Sequence, residues 1–250
     1  MENLHVSDNK RYLMKGSETF FWLADTGWLI FGNISEEEAY NYLKNRADKG
    51  FNVIQAVLVY STKELESVNK MYWGGADRIN DEEYWQHVER IIKMADKLGL
   101  YMALLPSWGS LLKNNLITSE NVLVYGRFLA ERLEKYSNII WVLGGDIKAD
   151  NYVEIYRKLG RYFKEKMPDK LITFHPFGRC ASSMWFADDS WLDFNMFQSG
   201  HRRYDQCNLG AWDDTDNPSY YGEDNWKYVK NDYLVSNKPT LDAEPSYEWI

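Results

Sequence analysis

The stretch NIIWVLGGD, residues 138–146, is an apolar run that passes through two glycines and ends on a carboxylate. The run Ile139–Leu143 is rich in large apolar residues and has no alternation of polar positions, which is typical of a strand buried on both faces. Such strands belong to parallel sheets whose two faces are covered. We therefore predict a parallel β-strand that stays apolar through the core and exposes only its last residue, Asp146.

Similar apolar runs recur along the chain, and amphipathic helices separate most of them. The predicted strands lie at 20–24, 51–60, 101–108, 138–146, 171–176, 193–201 and 238–245. The predicted helices lie at 35–50, 81–99, 119–136, 151–167 and 217–232. This alternation predicts βαβ units and a parallel sheet. Polar residues end nearly every strand, and no GxGxxG follows the first one, which favours a barrel over a dinucleotide-binding doubly wound sheet.

The predicted fold is therefore an α/β protein, a (β/α)8 TIM barrel, with residues 1–250 forming a single catalytic domain. Only seven strands can be counted, and the chain stops at Ile250, soon after the seventh. We expect strand eight to be missing from this chain, so that the barrel is either truncated at its C-terminus or closed in an unusual way.

Composition excludes several classes of protein. The formal net charge of -8 argues against nucleic acid as a partner, because phosphate binding draws on clustered Lys and Arg. The two cysteines, Cys180 and Cys207, provide neither a disulfide framework nor a Cys-based metal site. No secretory signal and no membrane span can be read, so we expect a cytoplasmic protein, or a secreted one if a leader was removed. The oligomeric state is not predictable.

Aromatic residues make up 16% of the chain, and many lie in predicted loops. Rigid aromatic faces suit sugar rings, but large aromatics also fill large cores. Composition alone leaves these two interpretations about equal. Trp28, Trp108 and Trp73 lie next to loops and could line a sugar site or pack in the core.

The carboxyl ends of the strands form the catalytic face of an α/β barrel. The two candidate catalytic residues there are Asp146 and Glu244. The candidates for substrate binding are Asp25, Trp28, Gln55, Trp108, His175, Gln198 and His201. Each carboxylate also has a simpler interpretation: Asp146 as a helix N-cap, Glu244 as a solvated loop residue, and Asp25 as a turn cap.

Side chains alternate faces along a strand, so Asp146 is expected to share its face with Gly144. The glycines would then leave room beneath Asp146 for a substrate ring. The same parity places Asp242 beneath Glu244, and two stacked carboxylates should repel, which raises the pKa of one of them.

Three classes of function remain open from the residues alone. The first is an enzyme that uses two carboxylates on a polar, neutral substrate. The second is a non-catalytic carbohydrate-binding barrel. The third is a metal-dependent barrel hydrolase that uses Asp25, Asp146, His175 and His201. No HxH or HExxH spacing is present, so we expect no metal and no cofactor.

Seven blocks of the chain resemble one known family. They are FFWLADTGW, KGFNVIQAV, LLPSWG, NIIWVLGGD, LITFHP, WLDFNMFQSGH and KPTLDAEPSYE. In this order, from Leu4 to Glu248, they are similar to the apiosidase-like glycoside hydrolases. We expect the chain to depart from that family by stopping before strand eight and by lacking the C-terminal β-domain common among its relatives.

The resemblance implies a (β/α)8 barrel that hydrolyses a glycosidic bond in a plant-type polysaccharide or its side chains. The family's catalytic carboxylates close the LGGD block and lie in the D-x-E-P block, which implies Asp146 and Glu244 here. By analogy with other barrel glycosidases, Asp146 is the general acid/base and Glu244 the nucleophile or base. Strands four and seven lie across the barrel mouth, so we expect retention of configuration.

Overall fold

The computed structural model describes residues 1–32, 34–60, 82–200 and 225–245. Within these ranges the strands are β1 (Leu4–Val6), β2 (Leu13–Lys15), β3 (Glu18–Phe20), β4 (Ala24–Thr26), β5 (Val53–Val57), β6 (Tyr101–Leu105), β7 (Ile139–Ile147), β8 (Ile172–Pro176), β9 (Asn195–Phe197) and β10 (Thr240–Asp242). The helices are α1 (Glu36–Asp48), α2 (Glu82–Lys97), α3 (Ser110–Lys113), α4 (Val122–Leu133), α5 (Val153–Lys166), α6 (Ser183–Phe186) and α7 (Asn225–Ser236).

The parallel strands follow each other in the order of a TIM barrel. β4 to β8 form one five-stranded parallel sheet, and β9 pairs in parallel with β10. The two sheets meet where the backbone N–H of Asp193 donates to the carbonyl of Ile172 at 2.8 Å. The predicted barrel fold is therefore confirmed, and the described ranges contain seven barrel strands, β4 being the first and β10 the seventh.

Alternation along the barrel strands separates two apolar layers. On β5, Val53 and Val57 belong to the cluster inside the barrel, whereas Ile54 and Ala56 belong to the cluster between strands and helices. The outer cluster buries the apolar stripes of α2, α4 and α5. This alternation decides which strand residues can reach the mouth of the barrel and which must face a helix.

The N-terminal strands β1, β2 and β3 form a separate antiparallel sheet. Leu4 and Leu13 from this sheet join the cluster inside the barrel. The predicted strand at 20–24 is wrong, because Phe21 is 76% exposed and the first barrel strand, β4, begins only at Ala24. The aromatic run Phe20–Trp22 is not a barrel strand. It connects the end of β3 to β4, the first strand of the barrel.

Helix boundaries follow the signals in the sequence. Ser35 caps α1, and Ser35 and Glu38 make the reciprocal bonds of a capping box. Gly50 follows this helix with a φ of 86°. The start of the helix predicted at 217–232 lies outside the described residues, and α7 covers the rest. No helix in the described ranges has both the length and the apolar surface that a membrane span requires.

Candidate active site

A β-bulge near the end of β7 sets the position of Asp146. Gly144 pairs with His175 on β8, and the next pair is Ile147 with Pro176, so two residues of β7 are matched by none on β8. Gly144, Gly145 and Asp146 have φ angles of 99°, 101° and 49°. The bulge therefore breaks the two-residue alternation, and the expected shared face of Gly144 and Asp146 does not apply.

The two glycines are needed for close packing rather than for substrate space. A Cβ on Gly144 would lie 2.2 Å from the carbonyl oxygen of His175. A Cβ on Gly145 would lie 2.8 Å from Cε3 of Trp108. The expectation that the glycines leave room beneath Asp146 is therefore wrong, because the backbone of β8 and the Trp108 ring occupy those positions.

Three ionisable side chains converge at the carboxyl ends of the barrel strands. Asp146 lies on the fourth barrel strand, His175 on the fifth, and Glu244 just after the seventh. One carboxylate oxygen of Asp146, one ring nitrogen of His175 and one carboxylate oxygen of Glu244 lie within 4.8 Å of one another. His175 is fully buried, Glu244 is 3% exposed and Asp146 is half-buried. Helix α5 begins only at Val153, so Asp146 is not its N-cap.

Donors that follow two other strands, β4 and β9, surround Glu244. Gln198 Nε2 donates to Glu244 Oε2 at 2.8 Å, and Trp28 Nε1 donates to Oε1 at 3.4 Å. The backbone N–H of Gly200 donates to the Glu244 carbonyl at 3.3 Å. The bonds from Gln198 and Trp28 hold the two carboxylate oxygens in place and stabilise their negative charge, whereas the bond from Gly200 holds the backbone. Glu244 is therefore not the solvated loop residue of the simpler interpretation.

His175 lies between a backbone carbonyl and the two carboxylates. Its Nδ1 lies 3.1 Å from the carbonyl oxygen of Pro176, which assigns the proton of the neutral ring to Nδ1. Its Nε2 lies 3.3 Å from Glu244 Oε2. Burial lowers the pKa of His175, but the contact with Glu244 and the charges of Glu244 and Asp146 outweigh it, so the net pKa is raised.

An aromatic cluster borders the three ionisable residues. The rings of Trp28 and Trp108 have centroids 5.3 Å apart, and those of Trp28 and His175 lie 5.5 Å apart, edge to face. The Tyr60 ring lies 5.2 Å from Trp108. Trp28, Tyr60 and Trp108 are each half-buried. Tyr60 was missed in the sequence, although its place at the end of a predicted strand pointed to the barrel mouth.

Gln55 supports the backbone next to Glu244. Its Nε2 donates to the carbonyl of Ala243 at 2.7 Å, and the side chain is 2% exposed. The expected contact between Gln55 and substrate hydroxyls is therefore replaced by a bond across the barrel, between the second and seventh strands.

Asp25 faces away from this site, which corrects its prediction as a substrate-binding residue. Its carboxylate pairs with Arg46 Nε at 2.9 Å and accepts from the Tyr42 hydroxyl at 2.9 Å, and both partners lie on α1. On β4 it is Ala24 that packs against the cluster inside the barrel. Strand alternation therefore directs Asp25 outward, where burial and the Asp25 charge raise the pKa of Tyr42.

Asp242 has a structural role close to Glu244. Its carboxylate accepts from the Ser199 hydroxyl at 2.6 Å, from Asn225 Nδ2 at 3.2 Å and from the backbone N–H of Glu244 at 3.3 Å. Burial raises the pKa of Asp242, against the effect of these donors. A raised pKa was expected for one of two stacked carboxylates, but its cause is burial rather than repulsion.

His201, the remaining predicted binding residue, lies outside the described residues. The loops 61–80 and 202–216, where specificity was expected, lie outside them as well. The metal-binding set proposed from the sequence is not assembled, because Asp25 faces α1. A different group, Asp146, His175 and Glu244, is close enough together to hold an ion.

An α/β barrel whose mouth holds two carboxylates, one near the end of its fourth strand and one after its seventh, has the pair of groups that glycoside hydrolysis uses. The family model of the apiosidase-like catalytic domain matches residues 7–250. The chain belongs to this family, and the resemblance read from the seven sequence blocks is confirmed. No curated protein sequence matches the chain.

Solved structures agree with this family. A glycoside hydrolase family 5 protein from Bacteroides vulgatus is 37% identical, with a TM-score of 0.87 over 98% of this chain and 54% of its own length. A second structure, described as a glycoside hydrolase, is 38% identical, with a TM-score of 0.88 over 100% of this chain and 57% of its own. The chain thus spans little more than half the length of these two proteins.

A more distant structure agrees in fold alone. The glycoside hydrolase family 5 mannosidase from Rhizomucor miehei is 9% identical, with a TM-score of 0.70 over 96% of this chain and 72% of its own. Its sequence shares too little with this chain to carry residue roles, but it places the chain among TIM-barrel folds.

Proposed function

We propose that this protein is a glycoside hydrolase in which Asp146 and Glu244 are the catalytic carboxylates. The observation that carries the proposal is their convergence at the barrel mouth, with one oxygen of each within 4.8 Å of the other. Retaining enzymes hold their two carboxyl groups about 5–5.5 Å apart, whereas inverting enzymes need about 6.5–9.5 Å to admit a water. The short separation supports retention.

The two residues have different surroundings, which suit different steps. Glu244 is buried and accepts hydrogen bonds from Gln198 and Trp28. These bonds keep the carboxylate ionised and fixed in orientation, which a nucleophile requires. Asp146 is half-buried on its bulge and can reach solvent. We assign Glu244 as the nucleophile and Asp146 as the general acid/base.

Each step then has a residue that performs it. Glu244 attacks the anomeric carbon while Asp146 gives its proton to the leaving glycosidic oxygen, which breaks the glycosidic bond and forms a glycosyl ester on Glu244. Asp146 then takes a proton from water, and the water oxygen attacks the same carbon and releases Glu244. Two displacements at one carbon return its original configuration.

The proposed substrate is a plant-type polysaccharide or one of its side chains, and the reaction needs no cofactor. The partly exposed rings of Trp108 and Tyr60, beside the carboxylates, suit contact with a sugar ring. The buried amide N–H of Gln198 donates to Glu244. Recognition of the sugar hydroxyls would therefore rest on other residues of the barrel mouth.

The competing function is a carbohydrate-binding barrel without catalysis. Such a protein needs the aromatic rings but gains nothing from a buried carboxylate with two donors directed at it. The convergence of Glu244 with Asp146 therefore favours the enzyme.

A panel of aryl glycosides that includes pentofuranosides tests the proposal. We expect release of the aryl alcohol from at least one member, and ¹H NMR of the first-formed sugar should show the anomeric configuration of the substrate. Binding of oligosaccharides without release from any member would support the binding barrel. Release with the opposite anomer first would overturn the assignment of Glu244 as nucleophile.

A further inference from the structure

The group formed by Asp146, His175 and Glu244 has the composition of a transition-metal site as well as that of a hydrolase site. It offers one imidazole nitrogen and two carboxylate oxygens, all within 4.8 Å of one another. Imidazole and carboxylate together suit zinc and its neighbours, whereas Mg²⁺ and Ca²⁺ prefer shells made entirely of oxygen. Three protein ligands with one open position is the usual arrangement of a solvent-accessible zinc site.

The spacing of the atoms matches such an ion. Zinc bonds of about 2.0–2.2 Å place the ligand atoms of a tetrahedral site about 3.3–3.6 Å apart. His175 Nε2 and Glu244 Oε2 are already 3.3 Å apart. The remaining spread, up to 4.8 Å, requires an adjustment of about 1 Å, and Asp146, as the half-buried member, is the freest to make it.

The fully buried His175 ring is oriented as a metal ligand would be. Its Nδ1 lies 3.1 Å from the Pro176 carbonyl, which leaves the lone pair of the neutral ring on Nε2. Nε2 has no aligned hydrogen bond within the described part of the chain, although it is directed at the two carboxylates. In this tautomer the Nε2 lone pair and the two carboxylates face one another, an arrangement that a shared cation satisfies.

The surroundings of the group resemble the outer shell of metal sites. Metal-bound histidines commonly donate their second nitrogen to a carbonyl, and metal-bound carboxylates accept a further hydrogen bond. His175 makes the first contact with Pro176, and Glu244 makes the second with Gln198 Nε2 at 2.8 Å.

We propose that Asp146, His175 and Glu244 bind one divalent transition-metal ion of the zinc class. The bound ion occupies the oxygens that the proposed function assigns to catalysis, so it excludes the sugar and inhibits hydrolysis. The inhibition rests on the proposed function, whereas the binding site rests only on the geometry of the three residues.

Isothermal titration of the full chain with ZnCl₂ at a fixed pH of 7.5, after chelator treatment and gel filtration, tests the site. We expect one ion per chain, with affinity at least about 10-fold weaker in His175→Gln and in Glu244→Gln. MgCl₂ should bind at least about 10-fold more weakly than ZnCl₂. Circular dichroism of each variant shows whether it is folded, and two variants are used in case one is not.

His87→Gln is the matched control. His87 Nδ1 lies 3.7 Å from Glu36 Oε1, so it is another histidine beside a carboxylate, but it lies on the helical layer away from the barrel mouth. We expect zinc affinity to be unchanged in this variant. A loss in His87→Gln equal to that in His175→Gln, unchanged binding in both site variants, or no zinc binding below 1 mM as an order-of-magnitude limit would overturn the site.

Activity measurements separate the two parts of the proposal. With an active substrate, zinc should inhibit in proportion to occupancy and a chelator should restore turnover. Activation by zinc would overturn the inhibitory role. A chain that binds zinc through His175 but hydrolyses no glycoside would contradict the proposed function and leave the metal site standing.

Discussion

Asp25 and Asp146 each follow an apolar run at the end of a barrel strand, yet they face opposite sides of the wall. Asp25 lies on β4 in regular alternation, and its position faces outward to Arg46 and Tyr42 on α1. Asp146 follows a bulge and lies beside His175 and Glu244. A carboxylate at a strand end is therefore not enough to indicate a site, because the local backbone decides which face it takes.

The bulge at Asp146 is maintained by close packing. Two consecutive glycines with positive φ fit against His175 O and the Trp108 ring, where any side chain would collide. The bulge gives the fourth strand two extra residues relative to the fifth. Bulges of this kind often redirect a side chain next to an active site, and here the redirected residue is the proposed acid/base.

The largest expected loss of turnover is that of Glu244→Gln. Replacing Glu244 with Gln removes the proposed nucleophile and leaves an amide of the same shape among Gln198 and Trp28. Turnover should fall by at least the roughly 10²–10⁴-fold typical of a positioned catalytic group. Steady-state kinetics on the best aryl glycoside measures this, and a loss of less than about tenfold would contradict the assignment.

Asp146→Asn should have the next largest effect. Without a proton to give, turnover should fall by roughly 10²–10⁴-fold on glycosides with poor leaving groups. The loss should be smaller on activated aryl glycosides, because their leaving oxygen needs less protonation in the first step. Comparing a nitrophenyl with a methyl glycoside measures the difference. Equal losses on both would argue against Asp146 as the acid.

Gly145→Ala tests whether the bulge places Asp146. The alanine would have to adopt a φ of 101°, and its Cβ would lie 2.8 Å from Cε3 of Trp108. We expect a loss of at least about 1–3 kcal/mol in the free energy of unfolding, with a fall in turnover as Asp146 shifts. Gly50→Ala is the control, because Gly50 has a φ of 86° and nothing within 4 Å. That variant should lose about 1–2 kcal/mol of stability and keep its turnover.

The raised pKa of His175 predicts a pH dependence of stability. The protonated ring is stabilised in the folded state, so its contribution is complete below the usual value of 6.5 and is lost as the pH rises through the raised pKa. The difference in urea midpoint between the wild-type chain and His175→Gln should therefore shrink from pH 6 to alkaline pH. A difference that grows with pH would contradict the direction of the shift.

Asp25→Asn should have the smallest effect on catalysis. The carboxylate is part of a partly exposed ion pair with Arg46, so its loss should lower the free energy of unfolding by about 1 kcal/mol. Turnover and KM should stay near those of the wild type. Urea denaturation and kinetics on one preparation measure both, and an effect on turnover comparable to that of Asp146→Asn would place Asp25 in the site after all.

Much of the barrel could be predicted because buried parallel strands and amphipathic helices leave direct patterns in the sequence. Six of the seven strand blocks, the capping box at Ser35 and the carboxylates at the ends of the fourth and seventh strands all follow from local signals. The exposed Phe21 shows the limit of this reasoning, because an apolar run can also connect two sheets.

The arrangement of the site depends on contacts that no local pattern contains. The bond between Gln55 and Ala243 joins residues 188 positions apart. The bulge depends on how Gly144 and Gly145 fit against β8 and Trp108, which are distant in sequence. Position at a strand end therefore placed Asp25 on the wrong side of the barrel wall, and strand parity failed for Asp146 and Gly144 because of the bulge.

The most direct test of this account is the turnover of Asp146→Asn beside that of Asp25→Asn, on one glycoside with a poor leaving group. The two variants make the same chemical change at two barrel strand ends. We predict a loss of about 100-fold or more for Asp146→Asn and a change of less than about threefold for Asp25→Asn. Equal losses, or near-normal turnover in Asp146→Asn, would contradict the claim that the bulge brings Asp146 into a catalytic pair with Glu244.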